Sequence, residues 1–238
     1  MTAFNIKGSN GASYVESNLA PGDIMLGGES VSVVSSTTGA LISASSLLGG
    51  IISRQGSLSA NVTDALDSAS NILYQLSGGN LGSQPVVDPG TTFRVRILNT
   101  TSYQTTLSLA ANGLLQGSGT FAISSTTWKD FLFTAQSSAL YNTYNCAITS
   151  GSPNVYFVLP NWQASQPLLP AGEGITITEN ALVTGTGIPA NAQVIGVIHG
   201  QGGLLGFTMS ANATATSAGT SVTISPCIRV DEIGSGSL

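Results

Sequence analysis

From Phe93 onward the apolar residues of this chain fall on every second position, and turn-forming residues interrupt them at short intervals. Phe93, Val95 and Ile97 alternate with Arg94 and Arg96 behind the turn signal Asp88-Pro89-Gly90. Residues 99–102 then separate this strand from Tyr103, Thr105, Leu107 and Leu109, which predicts a hairpin. Further turns fall at 111–113 and 117–119, and further strands at 120–123, 129–134, 144–148 and 155–159. Residues 160–174 carry three prolines and two glycines and read as a linker. The alternation resumes at Ile175 and Ile177, then at 181–184, 193–198, 206–210 and 221–224, before a Gly/Ser tail at 234–238 expected to be flexible. Strands this short, with turns every eight to twelve residues or so, bury their apolar halves only in layered or closed sheets. The expected fold is therefore all-β: a β-sandwich or jelly-roll-like domain plus a small C-terminal β module.

One segment has the other period. Ala65, Leu66, Ala69, Ile72, Leu73 and Leu76 lie on one face of a helix expected over 63–76. Thr63 would cap it, Asp64 and Asp67 suit the positive end of its dipole, and Gly78-Gly79 stop it. Upstream, residues 40–52 are apolar but broken by Ser43, Ser45, Ser46, Gly49 and Gly50. They are too short for a membrane span and read as a buried or an interface segment. Val31, Val33 and Leu41 suggest strands, although residues 1–48 could equally be an extended arm. The expected division is an arm or edge strands at 1–48, a β-sandwich-like domain at 49–160, and the linker and β module at 161–238.

Charge narrows the function classes. Only 7% of the 238 residues are charged, where about 25% is usual. The surface must therefore be Ser, Thr, Asn, Gln and Gly, which hydrogen-bond well and repel poorly, as suits a chain held in an assembly. Six Lys and Arg against eleven Asp and Glu, with only Arg94 and Arg96 close together, argue against a nucleic-acid partner. The start, Met1 to Lys7, lacks a basic stretch followed by an apolar run, so synthesis in a cytoplasm without export is expected.

The residues that could carry chemistry do not combine. His199, the one histidine, has no Gly-x-Ser-x-Gly partner and reads as a turn residue. The glycines of 200–206 open no helix of a βαβ unit. One His and two distant cysteines, Cys146 and Cys227, make no zinc site; the cysteines read as small buried hydrophobes. Asp231-Glu232 reads as a solvated pair rather than a calcium site. No catalytic, cofactor-binding or metal-ligating residue is expected. Trp162 either contacts a partner or fills a gap between domains. With Leu41, Leu47, Leu48, Ile51 and Ile52 from the apolar run, it completes the candidate interface residues.

Two stretches carry a resemblance. Leu182-Val-Thr-Gly-Thr-Gly-Ile-Pro-Ala190, Val194-Ile-Gly-Val197, Phe207 to Thr216 and Thr220-Ser-Val-Thr-Ile224 resemble a module found in phage virion proteins, tail fibres among them. Ile51-Ile-Ser-Arg54, the helical segment, and Gly90 to Thr101 with the strands through Trp128 and Thr134 resemble phage head-decoration or cement-type proteins. The resemblance implies a homotrimer on the virion surface that binds the major capsid protein or another virion protein and stabilises the shell; from the residues themselves no cofactor, nucleic-acid or membrane partner is expected. A tail-fibre role contacting host glycan is the alternative, and a carbohydrate-active enzyme a more distant one.

Overall fold

The computed structural model describes residues 5–7, 13–15, 30–77, 87–109, 113–137, 142–158, 177–200 and 203–238. Trp162 and the expected linker at 160–174 lie outside them. Strands dominate, and the chain divides into two compact units: Met1–Ala135 with Ile228–Leu238, and Gln136–Cys227. The expected boundaries at 48 and 160 give way to one at 135, and the C-terminal residues return to the first unit. Periodicity marks strands but not their partners, so an insertion leaves no mark in it.

In the first unit β1 (Asn5–Lys7) and β2 (Ser13–Val15) pair with each other. The chain then alternates between two sheets. One takes β3 (Ser30–Val34), β5 (Gly50–Arg54), β7 (Thr92–Asn99), β9 (Leu114–Gln116) and β11 (Thr127–Ser137), together with β18 (Cys227–Ser237), which follows the six strands of the second unit. The other takes β4 (Leu41–Ile42), β6 (Val62–Leu66), β8 (Thr105–Ser108) and β10 (Ala122–Ile123). Pairings β3–β5–β7 and β4–β6–β8 are parallel. The segments β3/β4, β5/β6 and β7/β8 therefore stack as three successive coils. Gly39, at the corner of the first coil, lies so close to the Thr63 carbonyl that a Cβ has no room. One apolar cluster draws on both sheets and both helices: Ile52, Val95, Ile97, Phe131, Phe133 and Val230 from one sheet, Ile42, Leu66, Leu107 and Ile123 from the other. Helix α1 (Ala44–Leu48) adds Leu47, and α2 (Ala69–Leu76) adds Ala69, Ile72 and Leu73.

Three local expectations change. The helix begins at Ala69, capped by the Ser68 side chain accepting from Asn71 N, and Thr63 to Leu66 belong to β6. There Asp64 and Leu66 point inward, because Asp64 meets a buried partner that helical periodicity cannot reveal. The expected 99–102 hairpin is a corner between sheets: β8 pairs with β6, and the Asn99 amide donates to Tyr103 O, Ile123 O and Ser124 O. The expected flexible tail is strand. Gly236 passes so close to Trp128 that a Cβ would lie 2.8 Å from its ring.

The second unit contains β12 (Asn142–Ile148), β13 (Asn154–Phe157), β14 (Leu182–Gly185), β15 (Val194–Gly200), β16 (Gly203–Met209) and β17 (Ser217–Ser225), in the order β14-β17-β12-β13-β16-β15. Its two ends join. Leu182 bridges Gln193, Val183 N donates to Ala192 O at 2.8 Å, and Val194 N donates to Ala181 O at 2.9 Å. Among the described residues these bonds join the terminal strands at the start of β15. Cys146, Ile148, Val155, Phe207, Met209, Val222 and Ile224 belong to its core. The strands at 144–148 and 155–159, expected in the first domain, belong to this unit because β12 pairs with β17 and β13 with β16. Cys146 and Cys227 are free and buried, and burial pushes both thiols up to about 12, far from the reactive thiolate form.

Leu73→Asp puts an unpaired charge against the first unit's core and is expected to cost upwards of about 3 kcal/mol. Gln75→Asp, at an exposed position of the same helix, is expected to leave thermal melting within about a degree or two of the parent, the effect of a surface change.

Candidate interaction surface

The first coil is tied to the second by two buried charges. Arg54 on β5 and Asp64 on β6 have side chains 1% exposed, with Nε 2.9 Å from Oδ2. That approach is an ion pair without hydrogen-bond alignment. The remaining guanidinium nitrogens point into the corner of the first coil: Nη1 donates to Val34 O at 3.1 Å and Ser36 O at 2.6 Å, and Nη2 to Thr38 O at 2.7 Å. Asp64 Oδ1 accepts from Ala40 N at 2.8 Å. Burial pushes the Asp64 carboxyl up, and the Ala40 amide and Arg54 only partly counter it. Asp67 works the same way one turn on, accepting from Ala44 N at the start of α1. Asp64, in β6, does not serve the helix dipole assigned to it from sequence, whereas Asp67 sits at the start of α2, where its Oδ1 accepts from Ser68 N and the Asn71 amide.

This lock fixes an open end. β3 and β4 are the terminal strands of their sheets, both on the first coil, and among the described residues no strand pairs with their outer edges. Val31 and Val33 are 57% exposed and Leu41 65%. Among the described residues, the outer edges of the first coil place backbone donors and acceptors beside apolar side chains, which is the chemistry of a strand-pairing interface.

The six interface candidates scatter. Leu41 is at this open end, and Ile51 is half-buried on the outer face of β5. Leu48 packs against the core. Leu47 and Ile52 are fully buried in their own unit and are closed to any partner, because the apolar run supplies α1 and the inward face of β5. Trp162 is outside the described residues. Val31 and Val33, noticed in the sequence only as strand formers, are the residues the reading missed; their every-second-residue spacing was the available signal.

Electrostatics are local and matched. Lys129 Nζ meets Glu232 at 2.9 Å and Arg229 Nε meets Asp231 at 2.9 Å. Asp231-Glu232 is thus not a solvated pair. Its carboxylates also accept from Ser118 N at 2.6 Å and Thr120 N at 2.7 Å, clamping the segment between β9 and β10. Arg94 and Arg96 both reach Asp130, and Arg96 stacks on Trp128 at 4.3 Å. Burial raises the Asp130, Asp231 and Glu232 carboxyls, but hydrogen bonds outweigh it and hold all three below the ordinary range: Arg96 and Arg94 for Asp130, Arg229 and Ser118 for Asp231, Thr120 and Lys129 for Glu232. His199 sits exposed within β15 rather than in a turn. Among the described residues no group of three His, Cys, Asp or Glu could hold a metal, and no helix is long and apolar enough to cross a membrane.

No protein-family model, curated protein or solved structure matches the chain.

Two outcomes follow from these charges. Asp64→Leu strands the Arg54 guanidinium in the core and is expected to cost about 3 to 5 kcal/mol. The Arg54→Met/Asp64→Leu double variant should be more stable than the sum of the singles by more than about 1 kcal/mol in denaturant melts. For acid, carboxyls held low when folded stabilise the protein above the unfolded values of about 4, and that contribution is lost as pH falls through the folded values. Asp64, raised when folded, acts in the opposite sense. Melting temperature is expected to drop between about pH 5 and pH 2, with a shallower drop in Asp130→Asn.

Proposed function

We propose that this chain is a structural, non-catalytic virion protein: a decoration or cement component that binds the major capsid protein or another virion protein on the particle surface as a homotrimer. The observation that carries the reading is the first coil, where among the described residues β3 and β4 have no strand on their outer edges, beside exposed Val31, Val33 and Leu41. Covering them removes apolar area from water at roughly 25 cal/mol per Å². Three-fold closure is adopted from the phage resemblance. We read the two facing sheets of the first unit as a sandwich of coiled connectivity, since parallel pairing departs from the antiparallel jelly roll.

The charge distribution supports a non-catalytic, protein-facing role. All six Lys and Arg lie outside residues 136–227, which hold only Glu173 and Glu179. The five Lys and Arg side chains described are all in ion pairs, so no concentrated basic face is left for nucleic acid.

A second reading, a fibre protein whose second unit contacts host glycan, draws on one observation. Tyr156 is 43% exposed on an uncharged wall, between Ala147 and Gly206 on the adjoining strands. Its ring is open to stacking. A glycan array separates the readings: binding lost in Tyr156→Ala favours the fibre.

For the first reading, light scattering on the purified chain is expected to give a trimer, and Val33→Asp/Leu41→Asp a monomer that keeps its fold by circular dichroism. A monomeric parent, or a double variant that stays trimeric, overturns it.

A further inference from the structure

Between the two helices of the first unit lies a depression of about 310 Å³. Ser43 and Ser45 at the start of α1 form one wall; Asp67, just before α2, and Asn71, Tyr74 and Gln75 on it form the other. We propose that this depression is a binding site for a neutral saccharide, held through its hydroxyls.

The walls are set by the core behind them. Ala69, Ile72 and Leu73 bury one side of α2, while Asn71 and Gln75, four residues apart, share its exposed side. Asp67, four residues before Asn71, extends that row by one turn. Across the depression α1 is anchored by fully buried Leu47. One hydrogen bond ties the walls together, from Ala44 N to Asp67 Oδ2 at 2.9 Å. Asp67 Oδ1 accepts from Ser68 N at 2.8 Å and from the Asn71 amide at 2.7 Å, and the Ser43 and Ser45 hydroxyls lie 3.0 Å apart. Polar groups held this way lose little freedom when a ligand arrives.

The chemistry of the walls selects the ligand. No Lys or Arg lines the depression among the described residues, and Asp67 is negative, so phosphates and carboxylates are repelled. Ala44 is the one aliphatic side chain in the described walls, so a lipid or an apolar peptide side chain gains little area by burial. What the walls offer is hydroxyls, two amides and a carboxylate already engaged by N–H donors. Asn71 Oδ1 and Asp67 Oδ2 accept from O–H groups, and the Gln75 amide both donates and accepts. The Tyr74 ring adds carbon surface suited to the C–H face of a sugar. A volume near the lower end of small-molecule sites, roughly 300 Å³, suits a short saccharide.

The proposal rests on neither functional reading above, because Tyr156 belongs to the other unit and no assembly is needed for binding. Its test titrates the full chain with maltotriose, cellotriose and triacetylchitotriose, while NMR follows the side-chain amide signals of Asn71 and Gln75. At least one trisaccharide is expected to shift both. Gln75→Ala, a surface change expected to melt like the parent, should weaken that binding at least about fivefold. Tyr156→Ala is expected to bind as the parent does, which separates this site from a glycan surface on the second unit. Silence with every trisaccharide, unchanged affinity in Gln75→Ala, or binding lost in Tyr156→Ala overturns the proposal. Arginine amide that shifts the same signals at lower concentration than any trisaccharide also overturns it, in favour of a basic side chain pairing with Asp67.

Discussion

Two charges removed from water, Arg54 and Asp64, hold the corner of the first coil against the second. Isolated, either would be strongly disfavoured in this interior. Together with the Val34, Ser36 and Thr38 carbonyls and the Ala40 amide, they satisfy one another and fix the segment joining β3 to β4. Such a network specifies one arrangement more than it adds stability, since an apolar replacement of good shape would serve a core as well. Here the arrangement specified is the one that makes β3 and β4 the terminal strands of their sheets among the described residues, with Val31, Val33 and Leu41 exposed.

The same separation of tasks recurs along the chain. Charge is concentrated in the first unit, where it clamps loops and corners: Asp231 and Glu232 on the segment between β9 and β10, Asp67 on the start of α1. The second unit is closed by its own hydrogen bonds, packed with apolar side chains, and nearly without charge. It sits in the sequence between β11 and β18, which are neighbours in one sheet of the first unit.

Much of the strand content was legible because alternation is a local signal. Phe93, Val95 and Ile97 face the core with Arg94 and Arg96 outward, as their spacing requires, and the α2 stripe at Ala69, Ile72 and Leu73 is buried. What was illegible depends on partners distant in sequence. Asp64 sits in a strand because Arg54 needs it, while the surrounding residues also fit a helix. Residues 99–102 have hairpin chemistry but make a corner, because β8 finds a better neighbour in β6 than in β7. Gly234 and Gly236 look like tail and are strand, and the missing side chain of Gly236 makes room for Trp128. Of the interface candidates, Leu41 is exposed, whereas Leu47 and Ile52 fill their own core. Apolar runs announce burial without saying whether the cover is the chain itself or another.

That distinction is what the account turns on. Hydrogen exchange of the backbone amides in β3 and β4 probes it directly, compared between dilute protein and protein concentrated into its assembled form. The account expects amides at Val31, Val33 and Leu41 to gain protection on assembly, while those of β12 and β17 inside the closed second unit stay as they were. Unchanged exchange at the first coil, with new protection elsewhere, would contradict it.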